Sequence, residues 1–255
     1  MSTKPRTKTS SSSREKSEKG EKGDKGAGEH KLSLKGSAKR VTEFFEYSIN
    51  TILYQRGVYP AEEFTTVKKY GLNMLVTIDD NVKDYIKKIM GQLGRWMLHG
   101  KISKLVIVIS SKDDGEVVER WVFDVQVLGG GNKDKAGATG AAGAAGGTVE
   151  KDENGKVLAV GKDAPGKEPF KTEKEIQQEI AGLFRQITAT VTFLPMLEGN
   201  CTFNVLVYAD GDAEVPMEWG DSDAREIQNG EKVTLRSWGT SSHKVDTLVS
   251  YRLSE

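Results

Sequence analysis

The sequence predicts an α+β domain in which three helices pack on a largely antiparallel sheet. Three observations carry that expectation. Three segments repeat their apolar residues at helical spacing, several shorter ones alternate or run apolar as strands do, and an Asp-Gly turn joins two of those strands into a hairpin.

The first helical segment places Val41, Phe44, Phe45, Ile49, Ile52 and Leu53 on one stripe, with Gly57 and Pro60 marking its stop. A short strand is expected over 72–77. The second helix opens after Asp79 and Asp80, acids suited to a positive helix N-terminus, and repeats through Val82, Tyr85, Ile86, Ile89, Leu93, Trp96 and Met97. Gly91 and Gly94 weaken it without breaking the pattern. Residues 102–110 are almost continuously apolar, and Asp114-Gly115 turns them into 117–127, where Trp121, Phe123, Val125 and Val127 share a face. Thr172 followed by Glu175 forms a capping box for the third helix, which continues through Ile176, Ile180, Leu183, Phe184 and Ile187. Its end, 187–193, is β-branched enough to be a strand, and periodicity alone does not decide between the two. Residues 202–208 alternate as a further strand, and 233–238 with 245–253 read as a C-terminal pair around a loop containing His243.

Composition limits what such a domain can do. The 255 residues carry 37 basic and 37 acidic side chains, a net charge of zero, where a general nucleic-acid binder would show a basic excess. A single cysteine, Cys201, leaves no disulfide framework and points to a reducing compartment, cytosol or nucleus. No apolar run reaches the roughly 18 to 20 residues of a membrane helix, and the Ser- and Lys-rich start has no apolar core of a signal peptide. Residues 1–31 hold nine basic residues against five acidic ones and no aromatic or branched aliphatic side chain, so they are expected to be a disordered charged tail. Residues 129–169, with Gly137, Gly140, Gly143 and Gly146 among alanines, are expected to be a flexible insert. The remainder, about 180 residues, suffices for one substantial core.

Chemistry finds no foothold. Residues 161–168 approach a phosphate-binding loop but end in Glu168 where Ser or Thr must hold magnesium, and no strand leads into them. His30, His99 and His243 lack the pairing of a zinc site and are read as surface or hydrogen-bonding residues. Asp113-Asp114 and Asp210-Gly-Asp212 suit turns better than calcium loops, and Cys201, with no base in view, is a small buried hydrophobe rather than a nucleophile. The pattern is that of an interaction module with no cofactor and no catalytic residue.

Four blocks go further. They are 44–60 (Phe-Phe-Glu-Tyr-Ser-Ile-Asn-Thr-Ile-Leu-Tyr-Gln-Arg-Gly-Val-Tyr-Pro), 119–124 (Glu-Arg-Trp-Val-Phe-Asp), 185–195 (Arg-Gln-Ile-Thr-Ala-Thr-Val-Thr-Phe-Leu-Pro) and 243–245 (His-Lys-Val). In order and content they resemble the HORMA-domain spindle-checkpoint proteins, over about 32–128 and from 172 to the C-terminus. The tail and the insert look longer than that family usually carries.

The resemblance implies a HORMA domain over 32–255 whose C-terminal segment, about 209–255, is a mobile safety belt with two packings. In the open packing its hairpin covers the edge of strand 202–208. In the closed packing the hairpin pairs near 117–127 and leaves that edge for an extended partner peptide, enclosed by the crossing chain. The implied peptide edge is Phe203, Asn204, Val205, Leu206, Val207 and Tyr208, and the implied belt residues are Val233, Leu235, Trp238, His243, Val245, Val249 and Tyr251. Arg185, Gln186 and Phe193 match the family's dimer contacts, through which open and closed copies associate. Further implied partners are the co-activator subunit of the anaphase-promoting complex, the coiled-coil checkpoint protein of kinetochores, and an AAA-type ATPase remodeller with its HORMA adaptor, with no direct nucleic acid or membrane. Nucleus, cytoplasm and mitotic kinetochores are the implied locations. The alternative is a HORMA adaptor of DNA repair or the meiotic chromosome axis.

Overall fold

A computed structural model describes residues 33–128 and 171–253. The tail expected over 1–31 and the insert expected over 129–169 lie outside the described residues, as do His30 and the loop at 161–168.

The first helix, α1 (Leu34–Gln55), starts seven residues before its first apolar marker because Ser33 caps it, accepting from the Gly36 amide at 3.1 Å. It is buried on more than one stripe: beside the apolar set, Ser37, Ser48, Asn50 and Thr51 also face inward. Two of these polar groups find partners within the helix itself. Ser48 donates to the Phe44 carbonyl at 2.8 Å, and Asn50 donates to the Glu46 carbonyl while accepting from the Thr77 amide at 2.8 Å. The chain leaves the helix through Gly57, whose φ of 62° only glycine adopts cheaply.

A two-stranded ladder follows, β1 (Phe64–Lys69) against β2 (Leu72–Thr77). β1 was not foreseen, because its Phe-Thr-Thr-Val-Lys-Lys run is short and its turn uses Tyr70-Gly71, both at positive φ, rather than Asn-Gly. Tyr70 bears that backbone conformation because its ring stacks on Phe184 at 5.7 Å and its hydroxyl donates to Glu43 at 2.7 Å. Then comes α2 (Asp80–Leu98), capped as expected by Asp79, which accepts from the Val82 amide at 2.8 Å.

The main sheet holds six strands: β3 (Ile102–Ser111), β4 (Val117–Val127), β5 (Cys201–Ala209), β6 (Glu231–Thr234), β7 (Trp238–Gly239) and β8 (His243–Tyr251). Its order is β5-β3-β4-β8-β6, with β7 also on β8, and every pairing is antiparallel. α3 (Glu173–Ala189) carries the expected capping box of Thr172 and Glu175. The ambiguous stretch at its end is settled as helix followed by a 3-10 turn at Thr190–Thr192, so 187–193 contains no strand. Burying Ile187 and Thr190 against the helix layer outweighs their β preference.

Alternation along β3 assigns its two faces. Leu105, Ile107 and Ile109 join the large core under the three helices, whereas Val106 and Val108 join a smaller cluster on the opposite face with Val117, Val122 and Ile227. The centre of the large core is aromatic: Phe44 meets Phe45, Phe123, Phe184 and Trp238 at ring-centroid distances of 5.1 to 5.7 Å.

Candidate functional site

β5 pairs with β3 alone among the described residues, so its other side is a free strand edge. Which backbone groups lie there follows from two flanking bonds. Lys112 donates to the Asn200 carbonyl at 2.8 Å, and the Asp210 amide donates to Lys101 at 2.9 Å, so even-numbered residues of this strand face β3. Phe203, Val205 and Val207 therefore turn their amides and carbonyls outward. Their side chains point to the helix layer, where Phe203 and Val205 are buried in the large core. Leu206 and Tyr208 pack on the opposite face, Tyr208 under the Lys104 ammonium at 5.5 Å, and Asn204 is exposed. All six expected edge residues thus lie on one strand, three of them offering backbone to a partner.

The C-terminal segment does not cover this edge. β8 lies on the far side of β4, in a register from Glu119 opposite Tyr251 to Val127 opposite His243, and β6 and β7 fold back on it as a hairpin. That matches the packing described above as closed. His243 opens β8 rather than sitting in a loop, because its ring is drawn fully inside: its Nδ1 lies 2.6 Å from the Ser37 hydroxyl, itself 2.5 Å from that of Thr240. Burial lowers the His243 pKa below the ordinary imidazole value. Leu235, Trp238, Val245 and Val249 are buried in the large core, and Val233 and Tyr251 pack at its margin.

Between β5 and β6 the chain changes face. After Ala209 it is held by Lys101, in the turn after α2, on Asp212 at 2.6 Å, and against α2 itself by Trp96 donating to the Glu214 carbonyl at 2.9 Å and by Trp219 edge-on to Trp96 at 5.1 Å. Its next apolar anchor, Ile227, sits on the opposite face of the sheet over Val106, Val108 and Val122. The segment leaves from the end of β5 on the helix side and arrives over β3 and β4 on the opposite face. Residues 219 to 227 can span about 27 Å when extended, enough to pass outside an added strand at about 4.8 Å.

α3 presents the other expected surface. Arg185 is exposed and Phe193 is 46% exposed, so Phe193 is not a core aromatic. Gln186 is only half-exposed, and its side-chain oxygen accepts from the Arg236 amide at 2.8 Å, which ties α3 to the C-terminal segment. Glu179 adds a second tie, accepting from the Gly239 amide at 3.3 Å.

Sequence reasoning missed the buried pair that joins the ends of these elements. Arg56, the last residue of α1's cap, contacts Glu119 of β4 at 2.8 Å with both side chains almost fully buried, and also donates to the Pro195 carbonyl. Trp121 donates to the same carboxylate at 2.5 Å. Burial pushes the Glu119 pKa up, and the Arg56 charge opposes that push. The signal was present, since Arg56, Glu119 and Pro195 all fall within the blocks that carry the resemblance. Cys201 is buried with a raised pKa, burial being the main cause, as suits a structural thiol.

Comparison with known proteins bears on the family and the fold. The family model described as HORMA domain matches residues 37–243. The chain is similar to "Mitotic spindle checkpoint component mad2" of Schizosaccharomyces pombe, 50% identical over 87% of this chain and 95% of that protein. It is also similar to human "Mitotic spindle assembly checkpoint protein MAD2A", 43% identical over 88% and 95%. Among solved structures, a chain of "Crystal Structure of Mitotic Checkpoint Complex" matches with TM-score 0.66 and 47% identity, over 85% of this chain and 99% of that one. Caenorhabditis elegans HTP-1 bound to a HIM-3 closure motif matches with TM-score 0.62 at 15% identity, over 88% and 93%, a likeness of fold alone.

Proposed function

The chain belongs to the HORMA-domain family, and we propose that it serves the spindle assembly checkpoint as a non-enzymatic adaptor that clasps an extended peptide. The observation that carries this reading is the β5 edge, whose Phe203, Val205 and Val207 backbones face outward beneath a chain anchored on both faces of the sheet. A peptide adds there as a strand, bonded through its main chain, and the belt between Trp219 and Ile227 then closes over it. Similarity to a chain of the mitotic checkpoint complex supports assembly with checkpoint partners. The shared fold of a HORMA protein bound to a closure motif supports capture of short peptides.

The partners that fit are the co-activator subunit of the anaphase-promoting complex, whose capture restrains anaphase, and the coiled-coil protein that holds a closed copy at unattached kinetochores. Arg185 and Phe193 on α3 recruit an open copy to a closed one, with Gln186 fixing the belt beside them. Release requires Trp238, Val245 and Val249 to leave the core, which gives an AAA-type remodeller with its HORMA adaptor a substrate. The protein works in nucleus and cytoplasm and at kinetochores in mitosis. Overlapping 15-residue peptides covering the co-activator test this by titration calorimetry: one contiguous stretch should bind, and no binding anywhere along the co-activator would contradict the reading.

A further inference from the structure

The outward edge of β5 is unequal along its length. Its middle donor, the Val205 amide, points at the hydroxyl of Tyr85, on the second turn of α2, at 3.4 Å. That ring is held from below by Phe203, edge-on at 5.5 Å, and Phe203 is flanked by Tyr59, edge-on at 6.1 Å. Tyr85 is 37% exposed, so one side of the ring faces solvent beside the edge. A strand added at this edge must offer a carbonyl to Val205, because antiparallel and parallel ladders alike use the outward N–H of every second residue.

We propose that Tyr85 is a gate on the peptide edge, its hydroxyl occupying the central backbone donor in the closed packing while the edge is empty and giving way to the carbonyl of the incoming strand. The inference rests on the reading of β5 as the peptide edge and adds to it a residue that tunes affinity. Its physical logic is protection. A free strand edge invites indiscriminate pairing, and one weak bond across its middle raises the threshold for any strand that cannot replace it. At 3.4 Å the bond is longer than the usual 2.7 to 3.2 Å, so a well-placed carbonyl displaces it readily. The hydroxyl stays protonated near neutrality, since burial raises the Tyr85 pKa above its ordinary value, and it can turn to donate elsewhere once displaced.

Tyr85→Phe separates the hydroxyl from the ring that packs on Phe203, so the variant should unfold at the wild-type midpoint. In peptide-free protein in the closed packing the Val205 amide should exchange with solvent about threefold faster in the variant, with Phe203 and Val207 unchanged. A fluorescein-labelled 15-residue peptide, the tightest binder from the co-activator series, should bind the variant about threefold more tightly, through faster association. Equal or weaker binding by the variant overturns the gate while leaving docking at the edge intact, weaker binding meaning that the hydroxyl serves the bound peptide. Unchanged Val205 exchange overturns the gate as well. Failure of every peptide to bind either protein instead removes the docking reading, and the gate falls with it.

Discussion

Replacing Trp238 by Ala should release the belt. Trp238 is 1% exposed, stands 5.1 Å from Phe44, and sits one contact from Phe45, Phe123 and Phe184, so its removal leaves a hole at the aromatic centre of the core. Removing a buried Trp costs about 3 to 5 kcal/mol. The indole N–H has no partner among the described residues, so deleting it also removes a desolvation penalty, and the lower end of that range applies. About 3 kcal/mol is a loss of roughly a hundredfold in the population of this packing. For a domain of this size it is a fall in thermal midpoint of roughly 6 to 12 °C. Differential scanning fluorimetry reads the midpoint, and calorimetric titration of the co-activator peptide reads the loss of belt closure. Trp238→Phe, which refills most of the space, should recover more than half of both. A Trp238→Ala protein within about 2 °C of wild type and binding peptide equally well would refute the idea that this side chain anchors the belt.

Three further outcomes are expected. Because His243 has a lowered pKa in the folded protein, the unfolded chain binds the extra proton first. Stability should therefore be complete above pH about 6.5 and fall as the pH drops below it, at no more than about 1.4 kcal/mol per unit from this residue, a slope that His243→Gln should flatten in urea titrations. Arg56→Met should cost about 3 to 5 kcal/mol by stranding the buried Glu119 charge, and adding Glu119→Gln should return much of it, as chemical denaturation would read. Arg185→Glu should abolish pairing of open with closed copies in size-exclusion chromatography while leaving peptide affinity unchanged. Gln186 must be kept in that test because it bonds the Arg236 amide.

Local patterns announced most of the fold. Asp79 and the Thr172–Glu175 box cap their helices as their types require, and strand β4 runs over the residues whose alternation proposed it. What stayed hidden depended on distant partners. Nothing adjacent in sequence to Tyr70 says that Phe184 and Glu43 will hold it at positive φ, so β1 and its turn went unseen. His243 reads as polar and loop-like until Ser37, more than two hundred residues earlier, lies beside its ring. The edge residues 203–208 were legible as an alternating strand, but their role depends on which neighbour β8 chooses. That choice is made by Trp238, Val245 and Val249 filling the space between β4 and the helices. Tyr85 fits the apolar repeat of α2 like any core position, and only the register of β5 reveals that its hydroxyl meets an outward amide.

The central claim is that a peptide joins β5 as a strand under the belt. Residue-resolved amide exchange, with and without a saturating co-activator peptide, tests it most directly. Phe203, Val205 and Val207 should become protected together, while Thr202, Asn204, Leu206 and Tyr208, already facing β3, change little. Peptide bound with the three outward amides still exchanging freely, and protection appearing elsewhere, would contradict it.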